Sequence, residues 1–295
     1  MKQSRSVIKK KNSAMKKENI IGVDLGGTNI RAGRIFNERI EKIYSQKITS
    51  NAEEKIVVGE VIESIRQVFD REVTAIGVGV PSVVDPVTGV VYDVQNIPSW
   101  KEVNLTNILA NEFHVPIKIN NDANCFVLGE KYFGKGKDVR NIVGLVIGTG
   151  MGAGLILDNK LYNGENTGAG EFGMIPYKNH NLEYYCSGQF FKNEYSFSGE
   201  EVSLLAKEGN DLGLKIFEQF GKNLGEALQI IVYAVDPAKI IIGGSVSKSF
   251  NYFIDSVLKT FEKFPYKKTS EKLKIEKSEK ENITIFGAAA LHFNN

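Results

Sequence analysis

The chain has 295 residues, 42% of them hydrophobic, enough for one large core or two ordinary ones, and two are expected. The formal charge of +2 is uneven, since residues 1–18 hold seven basic side chains against Glu18 alone and leave −4 on the rest. That mildly acidic body excludes a nucleic-acid-binding face, the leader is too short to be a DNA-binding domain, and no run approaches 18 apolar residues, so a cytoplasmic protein with no membrane partner is expected.

From residue 19 onward helix and strand alternate, which argues for α/β architecture with mixed sheets covered by helices. Residues 20–36, IIGVDLGGTNIRAGRIF, read as two strands joined by a Gly/Thr/Asn turn. Gly26 and Gly27 can adopt positive φ and point backbone N–H groups at an anion, and Thr28 adds a hydroxyl donor. Asp24 ends the first strand, where a carboxylate beside a phosphate handles a metal ion. A plain β-hairpin is the alternative. A third strand is expected at 41–49 and an amphipathic helix at 52–70, with Val57, Val61 and Ile65 in its apolar stripe. A buried strand at 75–80 runs into Pro81 and Ser82, and residues 83–100 read as loop. A strand at 116–120 leads into Asn121 and Asp122, then a helix at 123–134.

Residues 143–157, VGLVIGTGMGAGLIL, repeat the first hairpin, with Gly148, Thr149 and Gly150 opposite Gly26, Gly27 and Thr28. The chain therefore reads as duplicated, with two phosphate-gripping turns and a nucleotide in a cleft between lobes. A Gly-rich loop at 161–176 carries two acidic residues. Helices are expected at 182–195 and 212–235, and a buried strand at 239–242 closes on Gly243, Gly244 and Ser245. Residues 262–281 read as a solvated face of both charges, and a small-residue helix ends the chain. The lobes are expected at 19–122 and 123–295, the last helix, about 284–295, being able to pack back on the first lobe. Two cysteines and three histidines are too few for a disulfide framework or a zinc constellation.

Asp122 stands at a strand tip and is the candidate general base for phosphoryl transfer, which asks little of a protein beyond positioning and one proton acceptor. Capping of the following helix is the other reading of the same residue.

DLGGTN (24–29), NNDAN (120–124), GTGMGAG (148–154), GAGEFG (168–173) and DPAKIIIGGSVS (236–247) together resemble the ROK family of bacterial sugar kinases and related repressors, in one register from about 19 to 292. The resemblance implies a duplicated two-lobed actin-like (ribonuclease H-like) ATPase fold and an ATP:hexose 6-phosphotransferase using Mg²⁺. It makes Asp122 the base for the sugar 6-hydroxyl, Asn121 a ligand of a neighbouring hydroxyl, and Asp24 a metal-side carboxylate acting through water. Gly26, Gly27, Thr28 and Asn29, with Gly148, Thr149 and Gly150, match the phosphate loops, and Gly243, Gly244 and Ser245 the adenosine side. Glu171 and Glu183 correspond to sugar-hydroxyl ligands, with Ser82 on the substrate side. Met174 stands where many relatives have a histidine that touches the sugar and ligates zinc, and the companion Cys segment is missing too, so a zinc-free kinase with altered sugar recognition is expected. Glucose is the first substrate implied, then mannose, allose or N-acetylmannosamine, and a homodimer is implied. A sugar-responsive regulator and a non-catalytic actin-like ATP-binding protein are the competing classes.

Overall fold

The computed structural model describes residues 18–85, 87–165 and 167–293; apart from Glu18, the basic leader lies outside them. In chain order the first elements are β1 (Asn19–Leu25), β2 (Asn29–Phe36), β3 (Arg39–Lys47), α1 (Glu54–Arg66), β4 (Val73–Val80), β5 (Val83–Val84), β6 (Val91–Tyr92), β7 (Glu102–Val103), α2 (Leu105–Phe113), β8 (Ile117–Asn121) and α3 (Asp122–Phe133). Then come β9 (Ile142–Ile147), β10 (Met151–Leu157), β11 (Lys160–Leu161), β12 (Pro176–Tyr177), β13 (His180–Asn181), α4 (Leu182–Cys186), α5 (Gly188–Tyr195), α6 (Gly199–Lys207) and α7 (Asp211–Val235). The last are β14 (Lys239–Gly243), α8 (Phe250–Phe261), α9 (Lys267–Lys272), β15 (Lys274–Lys277) and α10 (Ile283–Ala290).

The chain forms two compact units, one within Met1–Arg140, Gly154–Ala169 and Glu279–Asn295, the other Asn141–Ala153 and Gly170–Ser278. The division thus falls at 140/141, not after 122, and the chain returns to the first unit twice.

The first unit is built on a sheet ordered β3-β2-β1-β4-β8. β1 is antiparallel to β2 and parallel to β4, which is parallel to β8. β1 is a central strand with apolar residues on one face: Ile21, Val23 and Leu25 join Val57, Val61 and Ile65 of α1 in one core. Its other face is made for close approach, because a Cβ on Gly22 would lie 1.9 Å from the Ile285 carbonyl oxygen of α10. The same helix meets Gly77 of β4, whose Cβ would stand 1.9 Å from the Ala288 oxygen, and Gly129 of α3, 2.2 Å from the Ile283 oxygen. A Cβ on Gly287 itself would sit 1.6 Å from the Cys125 oxygen. Glycine at each crossing lets backbone pack on backbone, and α10 is buried from Ile285 to Ala290.

The second unit holds the parallel strands β9, β14 and β15 in that order. The 25-residue α7 buries Phe217, Phe220, Leu224, Leu228 and Ile231 along one stripe and lies against α8 where a Cβ on Gly221 would be 2.5 Å from the Phe253 oxygen. Phe190, Phe191, Phe217, Phe220 and Phe253 form a ring cluster there, with centroids 5.1–6.5 Å apart.

Several expectations are corrected. Residues 83–100 are not all loop: β5 pairs with β6 and β6 with β7, around a turn in which Asp85 Oδ1 accepts N–H bonds from Val87 at 2.8 Å and Thr88 at 2.9 Å. The helix expected at 182–195 is broken at Ser187, which is extended and caps α5 through Gln189 N–H. Residues 262–281 contain α9 and the strand β15, which pairs with β14, and α6 and α8 were not anticipated, although Ser198 and Glu201 form a capping box at the start of α6. Among the described residues no helix is long and apolar enough to cross a membrane.

Because Gly287 opposes main chain, Gly287→Ala should lose about 3 kcal/mol of unfolding free energy. Urea denaturation checks this, and a loss under about 0.5 kcal/mol would contradict the close approach.

Candidate active site

In the first unit the β1–β2 turn closes with Gly26 N–H on the Asn29 carbonyl at 2.9 Å. Thr28 offers its carbonyl to Ile48 N–H at 3.0 Å. Among the described residues the N–H groups of Gly27 and Thr28 have no hydrogen-bond partner, so the turn presents two open donors at an exposed edge. Gly27 has no room for a side chain, since a Cβ would be 2.5 Å from that of Asn96. Asp24 is half-buried and paired with Arg31, which also donates to Asn282 Oδ1 at 3.3 Å. The sequence reading missed Arg31, although a hairpin turning at 26–28 sets Asp24 opposite Arg31 by register alone.

At the tip of β8, Asn121 is the cap of α3: its Oδ1 accepts from Ala123 N–H at 2.9 Å and Asn124 N–H at 3.4 Å. Its Nδ2 donates to the Ser82 carbonyl at 3.3 Å. The capping job thus falls to Asn121, and Asp122 is the first helical residue, with Oδ1 on Ala123 N–H at 2.8 Å. The Ser82 hydroxyl donates to the Tyr92 carbonyl, so the hydroxyl serves the fold. Burial, then the charges of Asp122 and Asp24, pushes the Cys125 thiol well up.

Three asparagines that sequence reasoning did not single out hold this tip. Asn120 Oδ1 accepts from Asn121 N–H at 2.8 Å and from Asn124 Nδ2 at 2.9 Å, while its own Nδ2 donates to Asn163 Oδ1 at 3.1 Å. Asn120 and Asn124 carried a signal, as polar residues in a strand end and a buried helix face. Asn163, in a glycine-rich loop far along the chain, carried none.

In the second unit Gly148 N–H reaches back to the Gly150 carbonyl at 2.9 Å, and the N–H groups of Thr149 and Gly150 have no hydrogen-bond partner among the described residues. The two turns thus share one design. Gly244, at φ +85°, crosses the end of β9 with its Cβ position 2.3 Å from the Ile147 oxygen, and a Cβ on Gly148 would lie 3.8 Å from Ser245 Oγ. Gly243, Gly244, Ser245 and the Gly148–Gly150 turn therefore lie together.

Glu171 precedes the 3-10 turn Phe172–Met174, in which Met174 exposes 52% of its surface. Partial desolvation, then the charge of Glu183, raises the Glu171 carboxyl above its ordinary value. In place of the family's zinc segment this chain has the β12–β13 hairpin, held to α7 by Tyr177 on Glu226 and by Lys178 Nζ on Asn223 Oδ1 at 2.7 Å. Asn181 caps α4 through Tyr184 N–H at 2.9 Å. Among the described residues no three His, Cys, Asp or Glu side chains converge as a metal site. A magnesium ion that keeps its waters and phosphate oxygens and takes one carboxylate fits Asp24, which is half-buried beside the open turn.

The expected sites thus fall in both units: Asp24, the first turn, Ser82, Asn121 and Asp122 in the first, and the second turn, Glu171, Met174, Glu183 and Gly243–Ser245 in the second. Against known proteins, the model of the ROK family matches residues 20–294, and the chain belongs to that family. A glucokinase of Streptomyces coelicolor is 27% identical over 280 residues, covering 83% of this chain and 87% of its own. An N-acetyl-D-glucosamine kinase of Vibrio vulnificus is 30% identical over 255 residues, 77% and 84% of the two chains. A ROK glucokinase from Streptomyces griseus, solved with glucose and AMPPNP, matches with a TM-score of 0.78 at 25% identity over 92% of this chain and 98% of that one. The fold is the α/β actin-like ATPase fold of the ROK sugar kinases, as the motifs implied.

The raised Glu171 carboxyl makes its charge oppose the folded state above its folded pKa, an effect absent below the ordinary value of 4.5. Glu171→Gln should therefore raise the thermal midpoint slightly at pH 7.5, the gap closing as the pH falls toward 4.5. Calorimetry across that range tests it, and a variant less stable at neutral pH would contradict the assignment.

Proposed function

We propose that the protein is an ATP-dependent hexose kinase making a hexose 6-phosphate, with glucose the first substrate and N-acetylmannosamine, allose or mannose behind it. The observation that carries this reading is the open glycine turn at the end of the strand that bears Asp24, in a unit whose Asn121 takes the helix cap and so spares Asp122 that job. A protein that only capped a helix at this point would need neither the second carboxylate nor the open donors.

In this reading Asp122 accepts the proton of the sugar 6-hydroxyl as its oxygen attacks the γ-phosphorus, and the β-phosphate oxygen leaves with the electron pair. The N–H groups of Gly27, Thr28, Thr149 and Gly150 stabilise the phosphate charge without reorganising. Asn121 is held by its cap and by Ser82, so its amide is fixed in place with the second N–H of Nδ2 left to donate to a neighbouring hydroxyl. Glu171 accepts hydrogen bonds from sugar hydroxyls, a task that needs it ionised. Magnesium, held at Asp24 through water, supplies charge neutralisation to the phosphates. Met174 cannot donate the hydrogen bond a histidine would, which alters recognition near the anomeric or 2-position. The named activities of the relatives, glucokinase and N-acetyl-D-glucosamine kinase, support a sugar acceptor.

A coupled ADP-release assay over a panel of hexoses and N-acetylhexosamines is expected to show turnover on at least one, and none on any would overturn the reading. Asp122→Ala should lower kcat by about a hundredfold to ten-thousandfold.

A further inference from the structure

Glu183 is tied into the second glycine turn. Its Oε2 accepts the Met151 N–H at 2.9 Å, and its Oε1 accepts from Gln189 Nε2 at 3.1 Å. The turn is gripped from the same corner at two more points: Ser187 Oγ donates to the Thr149 carbonyl at 2.9 Å, and Gly188 N–H to the Gly148 carbonyl at 2.7 Å. The fit is close, because a Cβ on Gly150 would lie 2.5 Å from Glu183 Oε2 and one on Gly188 would lie 2.8 Å from the Gly148 oxygen. The α4–α5 break at Ser187 is what points these groups upward. Of the turn's polar backbone, the carbonyls of Gly148 and Thr149 and the N–H of Met151 are thereby fixed, while the N–H groups of Thr149 and Gly150 have no partner among the described residues.

We propose that Glu183 is a positioning residue for the nucleotide: its carboxylate is a strut that holds the Gly148–Met151 turn so that Thr149 and Gly150 present their N–H groups to phosphate. The proposal rests on the kinase reading but moves Glu183 from the sugar alone to the phosphate loop. A charged acceptor suits the strut, since hydrogen bonds to a carboxylate are shorter and stronger than those to a neutral amide. Alanine at 183 removes the acceptor of both Met151 N–H and Gln189 Nε2, whereas glutamine would keep both contacts by turning its oxygen to Met151 while the Gln189 amide flips.

The test is calorimetric titration of ADP with Mg²⁺ into the protein without sugar, a condition in which a mere sugar ligand has no part. Glu183→Ala should weaken ADP about tenfold, the effect of leaving Met151 N–H unsatisfied, and raise hydrogen exchange in a peptide spanning 143–157. Gln189→Met, which removes only the partner on Oε1, should weaken ADP in the same direction by about threefold, and it decides the matter should a Glu183 variant fail to fold. ADP affinity within twofold of wild type for the folded variants would overturn the proposal and leave the kinase reading standing. Absence of ADP binding by wild type would overturn both.

Discussion

The constraint on which the first unit depends is the contact of bare main chain between α10 and three elements that carry or precede the candidate chemistry. Gly22 lies two residues before Asp24, Gly77 on the neighbouring strand, and Gly129 on the helix that Asp122 begins. With a side chain at any of these positions, helix and sheet would stand apart by the width of a methyl group or more. Such separations forfeit dispersion contacts and tilt the strand ends. The strand end of Asp24 and the helix start of Asp122 are thus both carried by elements seated on α10, which meets the Cys125 carbonyl through Gly287.

Each unit carries the same turn. A two-strand hairpin turns through glycine and threonine, one internal bond closes the turn, and two successive N–H groups stay open. The surroundings differ. In the first unit the turn is backed by an ion pair, Asp24 with Arg31, whereas in the second it is backed by hydrogen bonds from the corner between α4 and α5. A duplicated fold has thus been finished by two unrelated sets of side chains. The β12–β13 hairpin is likewise held by side chains alone: Tyr177 and Lys178 bond to α7, and Asn181 caps α4.

Much of this was legible in the sequence. Period-two apolar runs around GGT and GTG gave both hairpins, and the stripe of Ile216, Phe217, Phe220 and Leu224 gave α7, because those signals are local. The two-residue strands between 83 and 103 were not legible, since so short a strand has no period and exists only through its partners. The α4–α5 break was hidden because Ser187-Gly188 in a helical pattern becomes a cap only when a loop stands nearby to receive the serine hydroxyl. At the site, residue types were readable and their engagements were not: Asn121 turned out to cap, Ser82 to bond Tyr92, and Glu183 to brace a turn. The contribution of Asn163 rests on a long-range contact, for which one sequence holds no trace.

The seating of α10 also bears on how the protein comes into being. Ribosomes deliver a chain from its amino end, and early segments ordinarily collapse before later ones emerge. Here the groove lined by Gly22, Gly77 and Gly129 is ready long before residues 283–290 are synthesised. Until then the nascent sheet carries an uncovered furrow of peptide groups and small apolar surface, and the sealing of a unit drawn mostly from residues before 141 waits on a helix that lies beyond the whole second unit in the chain.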